Sequence, residues 1–150
     1  MPQSLAKIYL HLVFSTHDRR ESIPDSMRDA LHCYMATVLS NIGCHAVLIS
    51  STKDHVHVLF ELSRTLAVSK VVEDVKKSSS KWLKTQPGIT DVFRWQNGYG
   101  VFYVSPSNLD AVRNYVAMQQ EHHRRYTFQD ELRTLLKKHD IKYNELYVWD

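Results

Sequence analysis

The chain is poor in the residues that most often announce a cofactor. Four glycines occur in 150 residues, and none stands in a phosphate-cradling loop of the mononucleotide or dinucleotide kind. No nucleotide cofactor is therefore expected. The two cysteines, Cys33 and Cys44, have no metal-ligand spacing and are expected to be reduced and buried. Long hydrophobic runs are missing too. The longest, around Ile8 to Phe14, is broken by His11 and is far too short to span a bilayer. No membrane association is expected, and with no leader-like segment ahead of that run a cytoplasmic location is the expectation. Charge of one sign is scarce. Nineteen Lys and Arg against sixteen Asp and Glu leave +3, a mild basic bias that permits a nucleic-acid partner without requiring one.

What is present suits a globular chain that buries a sizeable core: 43% of residues are hydrophobic and 23% charged, which argues against disorder. No repeat or low-complexity linker divides it, so residues 1–150 read as one domain. Lys7 to Ser15 alternates, with Ile8, Leu10, Leu12 and Phe14 on one face and Tyr9, His11 and Val13 on the other, the pattern of a half-buried strand. Ser22 and Pro24 open a helix carrying Met27, Leu31, Met35 and Val38, ended near Asn41 and Gly43. Cys44–Ser51 and the run from His55 read as a hairpin across Ser-Thr-Lys-Asp. A second helix runs to about Leu83, a fourth strand covers Val101–Val104, and Ser105-Pro106-Ser107 starts a helix from about Asn108 to Arg125. The order β-α-β-β-α-β predicts an α+β, ferredoxin-like split βαβ fold. One antiparallel sheet carries two helices on one face, followed by a C-terminal helix bearing Tyr115 and a further helix.

Chemistry concentrates in Asp54-His55-Val56-His57-Val58-Leu59-Phe60. On a strand, His55 and His57 share one face about 7 Å apart, while Val56, Val58 and Phe60 face the core. The pair is either two-thirds of a divalent-metal site or two polar residues on a solvated face. The helix after Ser107 adds Tyr115 and Gln119, four residues apart and so on one helical face, with His122 continuing the row. Either Gln119 offers a neutral oxygen as a third ligand and Tyr115 a hydroxyl able to attack a metal-polarised phosphate, or the two are a surface polar residue and a half-buried aromatic. His122 is either a group supporting the site or, with His123 and the following arginines, a helix end favoured by the dipole. Lys70, Lys77, Lys81 and Lys84 fall on one face of the second helix, as a solvated surface or a phosphate-contacting ridge. Arg94 and Trp95 lie in a glycine- and aromatic-rich loop that either stacks a base or caps the core.

Four stretches in order carry a family resemblance: Asp-His-Val-His-Val-Leu-Phe (54–60), Trp-Gln-Asn-Gly-Tyr-Gly-Val-Phe (95–102), Tyr-Val-Ala-Met-Gln-Gln-Glu-His-His (115–123) and Thr-Phe-Gln-Asp-Glu-Leu (127–132). Together they resemble the small single-tyrosine HUH transposases of the insertion-sequence-200/605 group. The resemblance implies a metal-dependent enzyme that cleaves and rejoins single-stranded DNA at element ends bearing imperfect hairpins. It implies Mg²⁺ or Mn²⁺ on His55, His57 and Gln119, and attack by Tyr115 to give a 5′-phosphotyrosine and a free 3′-hydroxyl. It also implies a homodimer in which the Tyr115 helix of one subunit completes the metal site of the other. The alternatives are a ferredoxin-like nucleic-acid-binding module without catalysis, a phosphoesterase using water, and a domesticated relative acting on chromosomal repeats.

Overall fold

The computed structural model describes residues 2–90, 92–119, 121 and 125–150. Its centre is one four-stranded antiparallel sheet built from β1 (Tyr9–Ser15), β2 (His45–Ser51), β3 (His55–Glu61) and β4 (Gly100–Val104), in the order β2-β3-β1-β4. Helix α1 (Arg28–Asn41) connects β1 to β2 and α2 (Val68–Leu83) connects β3 to β4. This is the ferredoxin-like arrangement that the alternation predicts. The register Val13↔His57 and Leu12↔Val58 places like faces together, because a one-residue slip would turn every apolar side chain to the wrong side.

The sheet has two different faces. Leu10, Leu12 and Phe14 of β1 with Val56, Val58 and Phe60 of β3 pack against Leu31, Met35 and Leu39 of α1 and Val71, Val72 and Val75 of α2. This is the main core. The opposite face carries His11, Val13, His55, His57 and Leu59. It is covered by α3 (Leu109–Ala117) and α4 (Phe128–Lys138), through Val116 against Leu59 and Val104, and through Phe128 and Leu132 against Val13 and Phe102. The histidine strand therefore lies buried beneath the two C-terminal helices rather than open to water.

Three expectations need correction. The long helix expected from Asn108 to Arg125 is interrupted at Met118: regular helix runs over Leu109–Ala117, and Gln119, Glu121 and Arg125 are helical again. Met118 leaves helical geometry (φ −94°, ψ 19°), with its amide on the carbonyls of Asn114 and Tyr115. Helical periodicity could not anticipate the break, because it turns Gln119 inward against the sheet. Trp95 is 5% exposed: its ring meets Phe14 and Phe93 edge-on at 4.9 and 5.0 Å, and its indole N–H donates to Ser79 Oγ at 3.0 Å. It caps the core, and both ring faces are shut off from a nucleobase. Of the cysteines, Cys44 is buried while Cys33 is exposed.

A residue used in this way is a stability determinant even without DNA. Trp95→Phe should lower the unfolding free energy of the DNA-free protein by about 1–3 kcal/mol, through the lost ring volume and the lost hydrogen bond to Ser79, whose hydroxyl keeps its bond to the Lys76 carbonyl. Urea denaturation measures it. A change under about 0.5 kcal/mol is the signature of a surface side chain and would contradict the packing role.

Candidate active site

The site grows from three elements. Alternation on β3 puts both imidazoles on the covered face, where His57 is 0% and His55 2% exposed. Helix α3 is anchored by Leu109, Val112 and Val116, and it brings the half-buried Tyr115 over the same strand. Helix α4 starts at Thr127, whose side chain accepts from the Asp130 amide at 3.1 Å, an N-cap that fixes the entry angle. Phe128, Leu132 and Leu136 form its buried stripe, and Glu131 falls on that stripe, so helical spacing aims its carboxylate into the protein.

One carboxylate joins the parts. His57 Nε2 donates to Glu131 Oε1 at 2.7 Å, and the Tyr115 hydroxyl donates to Glu131 Oε2 at 2.7 Å. His55 Nε2 stands 3.5 Å from Glu131 Oε1 and 3.3 Å from Gln119 Oε1. Gln119 is fully buried, and its amide nitrogen has no hydrogen-bond partner among the described residues. Behind these groups sits a second layer. His55 Nδ1 donates to Asp54 Oδ1 at 2.7 Å, with Thr52 Oγ1 at 2.9 Å from the same nitrogen. His57 Nδ1 lies 2.7 Å from His11 Nε2, the two rings stacked with centroids 5.0 Å apart. Such partners on the far nitrogen fix ring orientation and free Nε2 for a cation.

The donor set fits a divalent metal. One ligand atom each from His55, His57 and Glu131 lies within 4.8 Å of the others, and imidazole nitrogen with carboxylate oxygen suits Mn²⁺ and accommodates Mg²⁺. Without a cation, protons do the balancing. Burial opposes charge on His55, but hydrogen bonds to Asp54 and Glu131 outweigh it and draw its pKa up to about 9. Burial likewise disfavours ionised Glu131, yet its hydrogen bonds from His55 and His57 hold it far below the usual carboxylate range. His11, buried beside His57, is pushed well down and stays neutral. Burial and then the Glu131 charge push the Tyr115 phenol far above its ordinary value, so the hydroxyl is neutral at rest.

The sequence-predicted residues separate into those the fold gathers and those it scatters. Tyr115, His55, His57 and Gln119 converge. Glu131 was not among them, since a Glu soon after a Thr N-cap is already explained by the helix start. Asp54 and His11 were also without an assigned role, although His11 shares the alternating face of β1 that must lie beside the histidines of β3. Lys77 and Lys81 on α2 and Lys84 just past its end are exposed, on the far side of the sheet from the site. Lys70 on the same helix pairs with Asp74 at 3.1 Å. Arg94 is exposed and 2.7 Å from His17 Nε2. Lys76 instead turns inward to the carbonyls of Gln96, Asn97 and Gly98. His122 lies outside the described residues.

Because His55 binds its proton more tightly when folded, its contribution is fully present below pH 6.5 and is lost as pH rises through about 9. The depressed Glu131 contributes above about 4.5 and loses it as pH falls. Neutral His11 works the other way, since the unfolded chain protonates it below about 6.5, so chelator-treated protein should be most stable near pH 6–7 and weaken towards pH 9 by on the order of 1–3 kcal/mol. Asp54→Asn should flatten the alkaline limb. Urea midpoints across pH test this, and an unchanged limb in Asp54→Asn would refute the His55 assignment.

Comparisons with known proteins bear on the fold and on the family. No curated protein matches the chain in sequence. A crystal structure of a candidate transposase from Deinococcus radiodurans superposes with a TM-score of 0.61 at 21% identity, covering 79% of this chain and 98% of that one. A REP-associated tyrosine transposase bound to a REP hairpin superposes with a TM-score of 0.60 at 13% identity, covering 82% and 73%. At such identities the likeness shows the fold. The sequence profile described as "Transposase IS200 like" matches residues 4–119, a span that holds both histidines, Tyr115 and Gln119 and ends before Glu131; the chain belongs to the IS200-like transposase family.

Proposed function

We propose that this protein cleaves and rejoins single-stranded DNA through Tyr115, with a divalent metal held by His55, His57 and a third oxygen from Glu131 or Gln119. The observation that carries the reading is the single carboxylate of Glu131, which accepts from His57 with one oxygen and from Tyr115 with the other. It puts the hydroxyl next to the metal-ligand atoms, where a bound phosphodiester would meet both. When bound, Mg²⁺ or Mn²⁺ polarises the scissile phosphate and offsets its developing charge.

The chain's own groups supply the rest. Tyr115 Oη forms a bond to phosphorus while the bond from phosphorus to the 3′-oxygen breaks, leaving a 5′-phosphotyrosine and a 3′-hydroxyl. Glu131 Oε2 holds the phenol proton and aims the oxygen. Its depressed basicity makes it an orienting group, so the proton leaves only as the phosphorus–oxygen bond forms and ends on the departing 3′-oxygen. The phosphotyrosine keeps the bond energy, and attack by a second 3′-hydroxyl restores the diester. Asp54 and His11 hold the two imidazoles. With His57 Nε2 on a cation, its Nδ1–H would donate to neutral His11.

A DNA hairpin as the recognised feature is supported by the hairpin-bound neighbour, and a repeat-acting relative remains the second reading for the same reason. A catalytically silent binding module would leave a buried Tyr–Glu–His chain without a purpose. The Tyr115 helix lies on its own sheet here, so the exchange between subunits implied by the family resemblance is not needed to build a site.

Incubating the protein with hairpin-bearing single strands and Mn²⁺ should yield a denaturation-resistant adduct, with DNA on Tyr115 by mass spectrometry. Tyr115→Phe should form none yet keep its metal, and His57→Ala should neither cleave nor retain it. Glu131→Ala should weaken Mn²⁺ binding by at least about tenfold. DNA found on Tyr99, Tyr103 or Tyr126 instead would overturn the reading. In mixed preparations, His57→Ala with Tyr115→Phe should stay inactive, because each site draws on one chain. Recovery to about half of wild type would instead mean exchanged helices.

A further inference from the structure

Beside the Glu131–Tyr115 pair, between α3, α4 and β4, lies a cavity of about 460 Å³. His11, Tyr115 and Glu131 belong to its wall, so it is continuous with the candidate active site. Val104, Ala111, Val112 and Leu135 make it apolar. Phe102 lines it too, with the His139 ring stacked on Phe102 at a centroid distance of 4.7 Å. Tyr126, also in the wall, is 57% exposed, so its ring is open to a ligand. We propose that this cavity is the seat of one unpaired nucleobase, that of a nucleotide flanking the phosphate attacked by Tyr115.

This rests on the strand-cleavage reading and adds to it a place for the substrate. A nucleoside joined to a phosphate at the Tyr115 hydroxyl lies within one nucleotide's reach of that oxygen, and this cavity adjoins the hydroxyl. The walls select the occupant by charge. Asp130 and Glu131 are at the wall with Lys138 and His139, and Asp130 is already paired with Arg133 at 3.3 Å. Carboxylates repel a phosphate but accept from the exocyclic amino group of a base. The Tyr126 and His139 rings offer stacking surfaces that tolerate any base. Asn108 and Thr134, both exposed at the wall, supply hydrogen-bonding groups for a base edge. A flat, neutral, aromatic ligand meets all of these conditions, and an aliphatic or anionic one does not.

The test uses full-length Tyr115→Phe protein, which cannot trap DNA covalently, and random-sequence single-stranded octanucleotides carrying one 5-iodocytosine, which keeps an exocyclic amino group. Irradiation and peptide mapping should place the cross-link on Tyr126 or His139. Tyr126→Ala should lose about tenfold in affinity for the same oligonucleotides, the size of one lost base stack, whereas Tyr126→Phe should bind like its parent. Cross-links confined to α1 or α2, or a Tyr126→Ala affinity equal to that of the parent, would overturn the seat while leaving adduct formation by wild type intact. Cross-links on Tyr126 in a protein whose wild type forms no adduct would keep the seat and defeat the nucleophile.

Discussion

The structure turns on a buried negative charge. Glu131 is held on a helix stripe between Phe128 and Leu132, and a carboxylate there is tolerable only if hydrogen-bonded and paired. It finds both histidines of β3 on one side and the Tyr115 hydroxyl on the other. Remove it and two imidazoles and a phenol lose the group that fixes their relation. With a divalent cation in place of those protons, the same geometry would be a metal centre with a hydroxyl alongside. On the proposed reading, metal binding and proton release would be one exchange at this site, and affinity should climb with pH until His55 has given up its proton.

The two faces of the sheet divide labour. One is packed by α1 and α2 into an apolar core without polar chemistry, which holds β1 and β3 in a fixed register. The other carries the polar residues in the same strands, and is closed by α3 and α4. Because side chains alternate, rigidity on the first face is transmitted to the histidines on the second without any loop between. Val56 and Val58 are fully buried on either side of His57 in sequence, so the imidazole can move only if the core moves. A catalytic constellation on strands rather than loops gains in positional accuracy.

How far the sequence could be read follows from what each residue's neighbours are. Strand alternation and helix stripes are local, so the sheet, its order and the shared face of His55 and His57 were legible from spacing. Tyr115 and Gln119 were legible as a pair by helical spacing, although the break at Met118 means that tertiary contacts, and not one straight helix, bring them together. Glu131 was not legible, because a local explanation for an acidic residue in a first helical turn is complete without a site. Trp95 was ambiguous for a related reason: a tryptophan between glycines fits a stacking loop and a core plug equally until Ser79 and Phe14 are seen to meet it. The lesson concerns long-range pairs, which no periodicity encodes.

The lysines on α2 then raise a geometric constraint. Lys77, Lys81 and Lys84 lie on the helix layer opposite to α3 and α4, so no phosphate they touch can be the one at Tyr115. If that ridge binds DNA, the molecule must pass around an edge of the sheet, with a duplex part on the α2 side and an unpaired part reaching the α3–α4 side. A hairpin with a single-stranded extension has that form, whereas a short unpaired oligonucleotide does not reach both. Contacts on the ridge would raise affinity uniformly and weaken with salt, while those at the α3–α4 side would decide where the strand is cut. Charge-reversing the ridge should therefore cost hairpin affinity and leave the cleavage position unmoved, a separation that follows from the thickness of one β-sheet and its helices.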